Sequence, residues 1–84
     1  MNVKVQFHPH ALDRMQERGA TEKEVIETIQ YGEYFAAKYG RVGFRRNFPY
    51  ESKWNGRYFG IKQIEVFAVK ENEWLVITVL VKYF

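Results

Sequence analysis

Residues 10–19 read HALDRMQERG and set His10, Arg14 and Arg18 at intervals of four. At about 100° per helical residue, the three lie along one slowly drifting ridge beside the apolar positions Ala11, Leu12 and Met15. Two guanidinium groups can grip a phosphate through forked hydrogen bonds, and a neighbouring imidazole can exchange a proton near neutral pH. Cleavage of RNA through its own 2'-hydroxyl needs those two functions, a proton carrier and cations that stabilise a crowded phosphorane, without a cofactor. The competing reading is a solvated helix face on which Asp13 and Glu17 balance the arginines.

A second cluster follows. Residues 38–62 carry seven Lys/Arg against one Asp/Glu, so most of the chain's excess positive charge sits in its middle. Arg41, Arg45, Arg46, Lys53 and Arg57 alternate there with Tyr39, Phe44, Phe48, Tyr50, Trp54, Tyr58 and Phe59. Cations beside aromatic rings form stacking platforms along a phosphate track, the usual logic for single-stranded nucleic acid, with Trp54 as an RNA-stacking candidate. A domain this small also needs many of these rings in its core. His8 and His10 form a His-x-His pair, but with no third or fourth ligand cluster in the sequence a metal site is not expected and His8 reads as a helix cap.

The elements that must position these groups are well punctuated. Val3, Val5 and Phe7 alternate with polar residues as a short strand. His8 and Pro9 then open a helix that Gly19 closes. Thr21 and Glu24 have capping-box spacing before Val25, Ile26 and Ile29, with Ala20 placed to staple onto Val25 and Gly32 as the stop. Beyond Glu33 the period shortens towards two, with Gly40, Gly43, Pro49, Asn55, Gly56 and Gly60 as breaks. Asn55-Gly56 between aromatics predicts a type I' hairpin.

The run from Trp74 to Lys82 is apolar on both parities, which predicts a central strand. Strict alternation puts Leu75, Ile77, Val79, Val81 and Tyr83 on one face and Trp74, Val76, Thr78, Leu80 and Lys82 on the other. Thr78 is the polar exception, either β-branched filler or a hydroxyl that orients a phosphate. The expected fold is α+β: a short strand, two helices, then a largely antiparallel meander of three to five strands, in one domain over residues 1–84.

The whole chain has 84 residues, fifteen aromatics and no cysteine, so packing must supply what disulfides cannot. No apolar run approaches the roughly 20 residues of a membrane span, and MNVKVQF alternates instead of forming a signal-peptide core. A cytoplasmic bacterial-type protein is expected.

The stretch HALDRMQERGATEKEVIETIQYGE resembles the opening of a widespread family of small bacterial domains of unknown function. The family is signed by His-Ala-x-x-Arg-Met-x-x-Arg-Gly, a capped second helix and a closing strand like Val76-Ile77-Thr78-Val79. That family is similar in turn to the compact ribonuclease toxins of the RelE, barnase and EndoU type, with paired helices before an antiparallel sheet. The resemblance implies a toxin-like, metal-independent endoribonuclease of a toxin-antitoxin system. Its active surface would combine His10, Arg14, Arg18 and Thr78, and its partners would be RNA and an acidic antitoxin protein. The sequence departs from the pattern at Leu80, where a tyrosine often stands, and in its aromatic stretch from Arg41 to Arg57. The other reading is a non-catalytic module that binds nucleic acid or protein through that stretch.

Overall fold

A computed structural model describes residues 4–84. Val3, expected to start the first strand, lies outside them. The elements are β1 (Val5–Phe7), α1 (Pro9–Arg18), α2 (Glu22–Tyr31), β2 (Glu33–Ala36), β3 (Val42–Trp54), β4 (Arg57–Lys70) and β5 (Trp74–Tyr83). This is the expected α+β order, but the five-stranded sheet, ordered β1-β5-β4-β3-β2, is mixed: β1 runs parallel to β5, while the other neighbours are antiparallel. The helices intervene between β1 and the meander, so β1 re-enters the sheet beside the last strand.

The helix ends follow from their residues. His8 caps α1, Pro9 takes the first position where its missing amide is harmless, and Gly19 closes the helix at φ 81°. At α2, Thr21 Oγ1 accepts from the Glu24 amide while Glu24 accepts from the Thr21 amide, completing the capping box. Both helices lie on one face of the sheet, α1 over β5 and α2 over β4 and β3. They bury Ala11, Met15, Ala20, Val25 and Ile29 against Phe44, Ile64, Val66, Ala68, Val76 and Val79. Leu12, expected on the buried stripe, is exposed, and Thr28 takes a core place with its hydroxyl donating to the Glu24 carbonyl.

Asn55 and Gly56 both have positive φ, as the type I' turn between β3 and β4 requires. Gly43, Pro49 and Gly60, expected to break strands, lie inside them. Gly43 is continuous with β3 because the Phe35 ring covers it so closely that a Cβ would fall 2.2 Å from Cε2. Pro49 sits opposite Ile61, whose amide and carbonyl both bond Phe84, so its missing amide faces the edge of β3 that β2 does not reach; a register shift follows before Ser52, and Glu51 adopts φ 46° there.

A second shift corrects the reading of β5. Phe67 pairs with Thr78 but Ala68 pairs with Val76, leaving Ile77 as an extra residue. The bulge changes the phase of the strand, so Val76 before it and Val79 after it, expected on opposite faces, are both fully buried in one core. Nor is β5 central throughout, since β1 covers it only from Trp74 to Val76.

Replacing Gly19 by Ala is expected to lower stability by about 2 kcal/mol or more, because the new Cβ meets both Trp54 and Tyr83 at 2.8 Å and disfavours the left-handed conformation. Thermal unfolding of Gly19→Ala should show a midpoint roughly ten degrees lower; an unchanged midpoint would remove the close packing inferred at the α1–α2 junction.

Candidate functional site

At the start of α1, His8 is extended (φ −63°, ψ 144°) and its Nδ1 accepts from the His10 main-chain N–H at 3.1 Å. The cap turns His8 back over the helix, and the two imidazoles stack with centroids 5.1 Å apart and planes 13° apart. With Nδ1 an acceptor, the neutral His8 ring carries its proton on Nε2. The His10 ring itself stands at the exposed end of the ridge. Among the described residues no three of His, Cys, Asp and Glu gather in a way that would hold a metal ion.

Arg14 lies one turn on, paired with Glu17 at 3.2 Å. Both side chains are half or more exposed, so the pair is worth a few tenths of a kcal/mol and an incoming anion can replace the carboxylate. Arg18 differs. β1 stops pairing at Phe7, and the His8 amide takes the Val76 carbonyl at 2.9 Å. Past that point the Val79 carbonyl accepts instead from Arg18 Nη1 at 2.8 Å. The last residue of the ridge therefore bonds α1 to β5.

Thr78 is one residue from that anchor, but its cross-strand neighbour is Phe67, which alternates with the buried Val66 and Ala68. Its side chain thus belongs to the sheet face opposite the helices. The structure brings His10, Arg14 and Arg18 onto one ridge beside β5 and sets Thr78 across the sheet from it. The reason is the Ile77 bulge, which fixes the phase of everything after it.

The basic middle is divided in the same way. Arg45 donates from Nε to Glu65 Oε2 at 2.7 Å, with Nη2 at 2.5 Å, and also lies 3.8 Å from Glu33. Because Glu65 is buried on the open sheet face, Arg45 is its counter-charge, and losing Arg45 would leave a buried carboxylate unpaired. Arg46 lies over the rings of Tyr31 and Phe48. Trp54 stacks on Tyr83 with centroids 5.0 Å apart, so its ring serves the packing. Lys53 and Arg57 are exposed near the tip of the β3–β4 hairpin with Tyr58, while Arg41 borders an apolar groove formed with Phe35, Tyr39 and Phe67.

Sequence reasoning missed the group that holds the ridge in place. Tyr83 donates from its hydroxyl to the Arg18 carbonyl at 2.7 Å. Lys62, nearly buried, donates to the Gly19 carbonyl and to Glu24 Oε1, the latter at 2.9 Å. Tyr50, Trp54 and Phe59 surround the Tyr83 ring. A signal existed: Lys62 is in phase with Ile64, Val66 and Ala68, so the period that buries them buries it too. Burial first, with Tyr50 and Glu24 nearby, pushes the Tyr83 hydroxyl up to about 12.

With this geometry in view, the family described as "Domain of unknown function (DUF4258)" matches residues 7–81. The chain belongs to that family. No curated protein and no solved structure matches it significantly. No helix among the described residues is long and apolar enough to cross a membrane.

The raised Tyr83 value has a direct consequence. Its folded value lies above the ordinary 10, so the folded state holds this proton longer than the unfolded chain; the associated stability is complete below pH 10 and is lost as pH rises towards 12. Ultraviolet titration should show one of the six tyrosines ionising last, and Tyr83→Phe should remove that component and flatten the alkaline loss of stability. A late component that survives the substitution contradicts the assignment.

Proposed function

We propose that this member of the DUF4258 family acts on RNA as a toxin-like endoribonuclease, with His10 moving the proton and Arg14 holding the scissile phosphate. The observation that carries this reading is the exposed His10 imidazole, its main chain fixed by His8, with the half-exposed Arg14 guanidinium one turn along the same ridge. In the reaction His10 takes the proton of the 2'-hydroxyl as the 2'-oxygen bonds to phosphorus. The bond from phosphorus to the 5'-oxygen breaks, and the imidazolium returns its proton to that departing oxygen. The products are a 2',3'-cyclic phosphate and a free 5'-hydroxyl. Arg14 stabilises the extra charge on the phosphorane.

The remaining residues take revised roles. Arg18 has one donor committed to the Val79 carbonyl, so it positions the ridge and adds field to it. Thr78 serves the opposite face and is outside the proton-transfer step. The exposed cations also suit an acidic protein partner of the antitoxin kind, whose carboxylates would displace RNA from the same charges. A second reading, a non-catalytic binding module, is favoured by the hairpin, where exposed Lys53, Arg57 and Tyr58 offer charge and a ring independently of His10.

Purified protein should cleave single-stranded RNA with chelator present, leaving cyclic phosphate ends. His10→Ala should slow cleavage by about 10²-fold or more, and Arg14→Gln by about tenfold or more, each with an unchanged melting temperature. A His10→Ala protein as fast as the parent overturns the mechanism. Binding that weakens steeply with salt, without cleavage by the parent, establishes the second reading.

A further inference from the structure

Among the described residues no helix or strand covers the sheet face away from α1 and α2, and that face holds a groove that the proton-transfer scheme leaves unused. Its lining is Phe35, Ala37, Lys38, Tyr39, Arg41 and Phe67. The rings of Phe35 and Phe67 meet edge to face at 6.0 Å. Phe35 is held rigidly, since it lies flush against Gly43 and beneath the Arg45 guanidinium at 4.8 Å. Tyr39 is 87% exposed, in a turn closed by the Ala37 amide on the Arg41 carbonyl at 3.0 Å. It has φ 61°, a left-handed conformation that costs an aromatic residue roughly 1–2 kcal/mol, followed by Gly40 at φ 69°. A strained, solvated ring contributes nothing to the core, and such strain is found where the presented side chain is used.

We infer that this groove seats an unstacked nucleobase of single-stranded RNA, with Tyr39 as the stacking surface, Phe35 and Phe67 as the apolar wall, and Lys38 and Arg41 holding the adjoining phosphates. The inference rests on the RNA-directed reading above and adds the substrate class, a single strand in preference to a duplex. Charge complementarity selects the occupant: two cations bracket the ring along the chain, and no carboxylate lines the groove. A base offers a flat π-face to Tyr39 and brings its own anion, which matches an apolar floor with a cationic rim. The floor has few polar atoms to read a base edge, so discrimination among bases is weak.

The position also joins the two halves of the surface. Phe67 is the inner wall of the groove, and its cross-strand neighbour on the same face is Thr78. One strand spacing, about 5 Å, separates them. Beyond Thr78 lies the edge of β5, where Arg18 holds the ridge that carries Arg14 and His10. A strand seated in the groove crosses Thr78 before it reaches the ridge, which gives the hydroxyl a place on the RNA path although it is remote from the proton carrier.

The test measures anisotropy of a short fluorescein-labelled oligouridylate, the matching oligoadenylate, and an RNA duplex of equal length. The parent should bind both single strands similarly and the duplex at least about tenfold more weakly. Tyr39→Asn, which tolerates the left-handed turn, and Arg41→Gln should each weaken single-strand binding by about fivefold or more at unchanged melting temperature. In cleavage assays Tyr39→Asn should slow a longer strand through KM while leaving a dinucleotide, too short to reach the groove, unaffected. Parental affinity in both variants overturns the groove even if His10→Ala abolishes cleavage, and a parent that binds through Tyr39 without cleaving overturns only the enzyme reading. Preference for polyglutamate over every RNA overturns the inference in favour of a protein occupant.

Discussion

The structure depends on how the last carbonyls of α1 are satisfied. A helix leaves its final carbonyls without internal partners, and α1 ends against the sheet, where water has little access. Tyr83 and Lys62 supply the missing donors, at the Arg18 and Gly19 carbonyls, from two adjacent strands. Arg18 reciprocates by donating its guanidinium to the Val79 carbonyl of β5. The exchange is directional, unlike the apolar packing of Ala11 and Met15 beneath it, so it fixes the rotation of α1 about its own axis. That rotation decides which residues form the exposed ridge. Glu24 adds a second link, since one carboxylate both completes the α2 capping box and neutralises Lys62.

A charge used in this way is no longer available to a ligand. Arg18 and Lys62 are bonded to main-chain oxygens, and Arg45 is the counter-ion of a buried carboxylate. Freeing any of them leaves a buried carbonyl or carboxylate without its donor, which costs more than opening an exposed pair. Cations left to a polyanion include Arg14, whose pair with the half-exposed Glu17 is weak, Arg41 at the groove, and the exposed Lys38, Lys53 and Arg57. A net charge of +3 thus understates the contrast between spent and usable charge.

Local chemistry made much of the fold legible. His8-Pro9, Gly19, the Thr21/Glu24 pair and Asn55-Gly56 act within a few residues, so their consequences can be read from spacing alone, and each stands where expected. What was not legible depends on pairing between distant segments. Nothing in Val76-Ile77-Thr78 announces that Ile77 will be skipped, because the bulge arises from fitting β5 to β4. Gly43 looked like a break because the ring that fills its missing side chain comes from Phe35 on another strand. At the candidate site the ridge was legible for the same local reason. The separation of Thr78 was not, since it turns on the bulge. Lys62 shows the intermediate case, a charge whose phase betrayed burial but whose partners came from elsewhere.

The bulge also explains how so small a domain can offer two usable faces. Without Ile77 as an extra residue, strict alternation would put Val79 and Val81 on the opposite side from Val76, and the helix-facing core would lose half of its contribution from β5. With it, Val76 and Val79 both pack under α1, and Thr78 is turned out beside Phe67. The helix side can then be closed by aliphatic packing. The other side keeps the Phe35 and Phe67 rings half-buried, supported by Glu65 and Arg45. In a chain with no cysteine, the irregularity that completes the core also frees the second face, so core stability and exposed ring surface follow from one local choice of register.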